Sequence, residues 1–308
     1  IEDPDEPKDP ETPHFIPAYS QKVKASKEFQ TFQFDHSFVL NSLKSSMEGY
    51  VFHNQPLDTD DLLEQTVKLF NSCKTSLELF DMLHNMRAYD DSTYAHSLNV
   101  ALICRRIGKW LKVDAATLDT LTLCGLLHDI GKLKIPDEIL NKPDKYTDEE
   151  FDLVKRHTKF GYELLKTLNI DPHIKKAALL HHERCDGSGY PLKATQKDLD
   201  DFSMVVAIAD VYDAMTAARS YRAPLCPFQV IERFEQEGLQ KYKPKFILTF
   251  LQHIASTYQN NRVLLSNGQS ANIVMLNQQH LARPIVQLND NSCIDLSTRL
   301  DLHIQSIL

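Results

Sequence analysis

The chain has 308 residues, enough for about two domains of roughly 150 residues each, and its 42% apolar and 25% charged residues can bury a sizeable core. A net charge of −8 argues against a non-specific nucleic-acid binder and against DNA as a partner, but not against a small anion held through metal ions, whose charge that count omits. No apolar run reaches the length of a membrane span, no signal-peptide pattern opens the chain, and six scattered cysteines without a CxxC pair read as reduced thiols of a cytoplasmic protein.

Residues 1–17 hold five prolines and an acidic run from Glu2 to Glu11, which predicts an extended acidic leader. Residues 18–85 read as a small N-terminal domain of unassigned fold. Gln30 to Val39 fits a strand or a helix, whereas Asp58 to Met86 has helical spacing through Leu62, Leu63, Val67, Leu69, Phe70, Leu77, Leu79, Phe80 and Leu83. Residues 86–258 read as an all-helical domain. Its helices are predicted over about Tyr94 to Leu111, and over Ala115 to Ile130 with Gly131 as C-cap. A third follows the Thr147/Glu150 capping box through Leu168, and a fourth runs from Pro172 to His182. Gly187-Ser188-Gly189-Tyr190-Pro191 is a loop, followed by helices over Phe202 to Ala218, Pro227 to Glu237 and Lys245 to Tyr258. Residues 259–308 read as a small β extension, with strands at Val263–Leu265, Ala271–Leu276 and Ile285–Leu288 separated by Asn267-Gly268 and Asn289-Asp290-Asn291 turns.

Seven residues of metal-ligand type run through the helical part: His96, His128, Asp129, His157, His181, His182 and Asp210. Imidazole nitrogens and carboxylate oxygens suit Fe, Mn and Zn. Seven are too many for one tetrahedral ion and enough for two ions about 3.5–4 Å apart that share a carboxylate. Neighbours on a helix point about 100° apart. The pairs His128-Asp129 and His181-His182 can therefore each serve one cluster only near helix ends, or with an ion on either side. Singly, each has a plainer reading: a His-Asp dipeptide as a surface pair, His157 as an exposed residue beside Lys155 and Arg156. Asp210 lies in an apolar run from Met204 to Ala214 and needs a partner there, a metal or a salt bridge. Lys132 either caps helix carbonyls or stabilises phosphoryl charge. Arg219 and Arg222 have the forked geometry that matches phosphate oxygens and guanine edges, although surface arginines at a helix end are common.

His128-Asp129-Ile130-Gly131-Lys132 and the run His181-His182-Glu183-Arg184-Cys185-Asp186-Gly187-Ser188-Gly189-Tyr190-Pro191 together resemble the HD-GYP family, whose HDIGK and HHExxDGxGYP motifs are complete here. The resemblance covers roughly residues 60–255. It implies an HD-type helical bundle, followed by a short β-rich extension as in some family members; with the small N-terminal domain, which resembles no named family, the chain reads as mainly α. It implies hydrolysis of cyclic di-GMP to linear pGpG or GMP by a metal-bridging hydroxide at two divalent ions, iron first and manganese next. By position, His96, His128, Asp129 and Asp210 would hold one ion; Asp129 as the bridge, with His157, His181 and His182, would hold the second. Lys132 and Asp129 would take part in catalysis. Lys132, Asp213, Arg219 and Arg222 would face the nucleotide. Gly187, Gly189, Tyr190 and Pro191 would form the GYP loop, a place for a signalling-protein partner. The chain departs from the family at Ser92, where tyrosine is usual and trinuclear members carry glutamate, which points to two ions rather than three. It departs again after Pro191, at Lys193, Gln196 and Asp200, and at Met204. Those departures motivate a second reading, a weakly active or inactive sensor or docking module for the same nucleotide. The residues leave the oligomeric state open.

Overall fold

The computed structural model describes residues 18–86, 92–142, 144–217 and 225–308. The predicted acidic leader, Arg219 and Arg222 lie outside the described residues.

Four helices precede the ligand-rich region: α1 (Ala18–Ala25), α2 (Lys27–His53), α3 (Thr59–Ser72) and α4 (Ser76–Met86). The ambiguous stretch from Gln30 to Val39 is helical, because Phe29, Phe32, His36, Val39, Leu40, Leu43 and Met47 bury one face of α2 at three- and four-residue spacing. The periodic segment from Asp58 to Met86 is two helices. Asp58 caps α3, and Thr75 Oγ1 accepts the Glu78 amide at the start of α4.

The bundle follows as α5 (Thr93–Trp110), α6 (Ala115–Leu127), α7 (Asp137–Leu140), α8 (Asp148–Lys155), α9 (His157–Leu165), α10 (Pro172–Leu180), α11 (Asp201–Thr216), α12 (Pro227–Glu237) and α13 (Pro244–Thr257). The long middles of α5, α6 and α11 are apolar almost all round, so these helices are central. Gly125 lets α5 and α6 cross closely: a Cβ there would lie 2.6 Å from the Ala101 Cα. The buried side chains of α2, α3 and α4 are continuous with this core. Polar contacts join the same helices. Tyr94 Oη donates to Glu48 Oε1 at 2.9 Å, Tyr50 Oη donates to the Leu164 carbonyl at 2.5 Å, and Arg106 stacks on Phe70 at 4.6 Å.

Two helix boundaries differ from the sequence reading. α6 ends at Leu127, and Gly131 sits in a 3-10 turn, Ile130–Lys134, rather than at a C-cap. Glycine is required there by proximity, because a Cβ would fall 1.9 Å from the His157 carbonyl oxygen and 2.4 Å from the Gly161 nitrogen. The helix predicted from Thr147 through Leu168 keeps its capping box but breaks at Arg156 into α8 and α9.

The C-terminal residues form an antiparallel sheet, β1 (Arg262–Leu265), β2 (Ser270–Met275), β3 (Ile285–Leu288), β4 (Cys293–Asp295) and β5 (Ile304–Ile307), in the order β4-β3-β2-β1-β5. Val263, Leu265, Ala271, Ile273, Val286 and Ile304 bury its inner face, and an Arg283–Glu232 ion pair of 2.6 Å ties it to α12. β4 and β5 have no counterpart in the sequence reading. No helix among the described residues is long and apolar enough to cross a membrane.

Candidate metal centre

Carbonyls in the last turn of a helix point along its axis past the helix end, and three histidines reach back to them. His128, at the end of α6, places Nδ1 2.8 Å from the Gly125 carbonyl oxygen. His181, at the end of α10, places Nδ1 2.9 Å from that of Ala177. His157 places Nδ1 2.6 Å from the Val154 carbonyl oxygen in the last turn of α8, just before the break at Arg156. A carbonyl only accepts, so each Nδ1 carries the proton and each Nε2 presents a lone pair to the interior. The three rings are at most 1% exposed.

The lone pairs converge on Asp129, which follows His128 where the chain turns out of α6. Its Oδ2 lies 3.2 Å from His128 Nε2 and 3.6 Å from His96 Nε2; its Oδ1 lies 3.3 Å from His157 Nε2 and 3.7 Å from His181 Nε2. Lys132, one turn on, brings Nζ to 2.6 Å from Oδ2 and remains about a quarter exposed. Burial alone would raise the Asp129 carboxyl, but neighbouring positive charge, the Lys132 ammonium within reach of it, holds it well below the usual carboxylate range.

His96, His182 and Asp210 form the outer side. His96 Nδ1 lies 2.8 Å from Asp213 Oδ2, and its Nε2 lies 3.0 Å from Asp210 Oδ1. Asp210 Oδ2 is 3.8 Å from His182 Nδ1, so this carboxylate spans the two histidines. Burial works against charge on His96, but its hydrogen bonds to Asp210 and Asp213 hold its pKa up to about 9. Burial pushes His157 down to about 3, and it pushes His181 and His182 down as well.

The seven sequence-predicted ligand positions thus come together from α5, α9, α11 and the residues just past α6 and α10. Two overlapping groups have ligand atoms within 4.8 Å of one another: Asp129, His157, His181 and His182, and His96, His128 and Asp129. The donor chemistry fits divalent cations. His157 Nε2 and His181 Nε2 face each other at 3.2 Å, a repulsive contact of two lone pairs unless a positive charge lies beside them. Buried His128 Nε2 and Asp129 Oδ1 meet no hydrogen-bond partner of good geometry among the described residues, a costly arrangement for polar atoms without an ion.

Asp213, grouped by sequence with the nucleotide-facing residues, is 2% exposed, with Oδ2 2.8 Å from His96 Nδ1. Ser92 is the N-cap of α5 and accepts the Ala95 amide at 3.2 Å. A serine immediately before a helix carries that signal, but alignment with tyrosine or glutamate obscured it. The loop after His182 closes back on it. Gly189 packs where a Cβ would be 2.4 Å from the Glu183 Cα, and Gly187 has φ +78°. Tyr190 stacks on His182 at 4.7 Å, and Pro191 follows through a cis peptide bond. Glu183, which sequence reasoning left unassigned, is fully buried. Its carboxylate accepts the Leu192 and Ala194 amides at 2.6 and 3.0 Å.

The chain is similar to several known proteins. A sequence profile of the HD domain matches residues 61–246, more than half of the chain. A cyclic di-GMP phosphodiesterase of Pseudomonas aeruginosa is 32% identical over 67% of this chain and 50% of its own length. A cyclic di-GMP phosphodiesterase of Thermotoga maritima is 35% identical over 57% of this chain and 48% of its own. A 3′3′-cGAMP-specific phosphodiesterase of Vibrio cholerae is 34% identical over 58% of this chain and 35% of its own. The chain thus spans half or less of the length of these relatives. The solved structure of Bd1817, an HDG"Y"P protein of Bdellovibrio bacteriovorus, is 18% identical and superimposes with a TM-score of 0.52 over 77% of this chain and 78% of that one, a likeness of fold. With the profile match, both complete motifs and this bundle in place, the chain belongs to the HD-domain family, in its HD-GYP branch.

Proposed function

We propose that this chain is a metal-dependent phosphodiesterase that hydrolyses cyclic di-GMP. The observation that carries the reading is Asp129: one buried carboxylate shared by two groups of histidines, with a lysine ammonium 2.6 Å away at the open side. His96, His128, Asp129 and Asp210 would hold one divalent ion; Asp129, His157, His181 and His182 would hold the other. Nitrogen and carboxylate donors suit iron, and manganese after it. Bound ions of this kind supply Lewis acidity, bringing the pKa of water towards neutrality and offsetting phosphoryl charge.

The chain's own contribution is orientation and charge. Three main-chain carbonyls fix the tautomer of His128, His157 and His181, so no reorganisation is needed to present Nε2. Lys132 is placed to offset negative charge on a phosphate oxygen and releases Asp129 as it does so. Asp213 holds His96 as Asp210 spans His96 and His182. In this reading Tyr190 and Pro191 wall the site, and exposed Leu192 beyond them gives a signalling-protein partner an apolar point to touch.

The relatives are named for two cyclic dinucleotides, cyclic di-GMP and 3′3′-cGAMP, at similar identity, so the test is a panel of both. Iron- or manganese-loaded protein converts cyclic di-GMP to pGpG or GMP, and the His128→Ala, Asp129→Ala double variant does not. Equal hydrolysis by both proteins refutes the proposal, and exclusive turnover of 3′3′-cGAMP reassigns the substrate.

A further inference from the structure

Among the five site histidines, His182 is held differently. His128, His157 and His181 each have Nδ1 on a main-chain carbonyl, and His96 has Nδ1 on Asp213. His182 has no hydrogen bond of this kind among the described residues; its Nδ1 faces Asp210 Oδ2 at 3.8 Å, beyond hydrogen-bonding distance. A ligand histidine without a partner on its second nitrogen needs another device to fix its ring plane.

The device present is a flat one. The Tyr190 ring lies on the His182 ring at 4.7 Å, with 25° between planes. Tyr190 belongs to a loop that turns back on the ligand pair: its amide reaches the His182 carbonyl at 3.3 Å. Glu183 ties the far end of that loop. Its carboxylate is completely buried and takes two main-chain amides, Leu192 at 2.6 Å and Ala194 at 3.0 Å. These amides lie on either side of Lys193, a non-glycine residue at φ +54°. Two charge-assisted bonds to one carboxylate over three residues make a clamp. Gly189 completes it, because any side chain there would collide with the Glu183 Cα at 2.4 Å and hold the loop away.

We propose that Glu183 and Tyr190 are positioning residues: Glu183 clamps the 187–194 loop so that the Tyr190 ring sets the plane of His182, in place of the hydrogen bond that orients the other four histidines. The inference rests on the metal-site reading above and deepens it. The loop then governs the metal group to which His182 belongs and leaves the His96–His128 group alone.

The test is a Mn²⁺ titration of the chelator-stripped 308-residue chain, comparing wild type, Tyr190→Phe, Tyr190→Leu and Glu183→Gln, with thermal unfolding of each stripped protein. Wild type takes up two ions. Tyr190→Phe keeps the flat ring and matches it. Tyr190→Leu weakens one of the two ions by about 10–100-fold, as losing an outer partner of a ligand does, and leaves the other ion and the stripped protein's unfolding midpoint in place. Glu183→Gln, which sets an amide NH₂ against one of two main-chain donors, weakens the same ion. If Tyr190→Leu binds both ions like wild type, or loses both to the same extent, the positioning role is refuted whatever becomes of Glu183→Gln. If wild type itself takes up no Mn²⁺, the metal-site reading fails first and is distinguished by that result.

Discussion

The inner and outer sides of the centre are built differently. His128, His157 and His181 are sealed from solvent and pinned by carbonyls at the ends of α6, α8 and α10. His96 and His182 have side chains 15% and 20% exposed and are held by other side chains, Asp213 and Tyr190. A main-chain pin cannot be removed by substituting a residue behind it; a side-chain pin can. The inner side should therefore be fixed by the fold itself, and the outer side should be tunable at single positions without disturbing the bundle.

The strongest test of the division is the residue common to both sides. Asp129→Asn keeps the volume and removes the charge, and both metal groups depend on it. Neither ion should then bind at micromolar concentrations, and hydrolysis should fall by more than the ~100-fold that losing an outer-shell partner alone can produce. Elemental analysis beside a turnover assay checks this. Survival of one ion at full occupancy would mean that the two groups do not share Asp129.

Asp213→Asn tests the outer side alone. The amide presents Oδ1 or Nδ2 where His96 Nδ1 needs an ionised acceptor, so uptake of the ion at His96 should weaken by about 10–100-fold. The second ion should be unaffected, and a two-site titration separates the cases. Equal weakening of both would abolish the distinction between sides.

Acidity gives a third contrast. In stripped protein the Asp210 and Asp213 hydrogen bonds outweigh burial and keep His96 protonated up to a pKa of about 9, whereas burial lowers His157 to about 3. A metal must displace the His96 proton but finds His157 already neutral. Between pH 6 and 9, uptake on the His96 side should strengthen by about tenfold per unit as that one proton is released, and levels off above pH 9. The His157 site should contribute no such slope. Calorimetric titrations in buffers of different ionisation enthalpy count the protons directly.

Much of this site was legible before any coordinates. Two adjacent ligand pairs cannot serve one cluster from mid-helix, and both lie at helix C-terminal ends. The Thr147/Glu150 capping box and Pro172 marked two helix starts correctly. What the chain hid was tertiary. Nothing in Lys155-Arg156-His157 signals a helix break or the Val154 carbonyl to which the imidazole reaches back. Gly131 has the appearance of a C-cap, yet its requirement comes from a backbone more than twenty residues away. Glu183 reads as one polar residue in a polar run, and only the folded loop reveals two amides converging on it. Asp213 lies one turn beyond Asp210, so sequence spacing alone could have proposed it as an outer partner of His96.

Ser92 yields the smallest expected effect. By comparison with the family it lacks the phenol or carboxylate that other members carry at this position. In the fold it begins the helix that carries His96, accepting the Ala95 amide three residues on. Ser92→Ala should therefore cost about 1 kcal/mol of stability in urea unfolding, the usual value of an N-cap. Ser92→Asp, which caps equally well, should restore it. Because His96 lies in the first turn that the cap organises, any effect on metal uptake should be confined to the outer side, be smaller than that of Asp213→Asn, and vanish in Ser92→Asp. A turnover loss in Ser92→Ala that Ser92→Asp does not repair would instead place the hydroxyl in the chemistry, and the outer side would then owe its properties to more than the way its histidines are held.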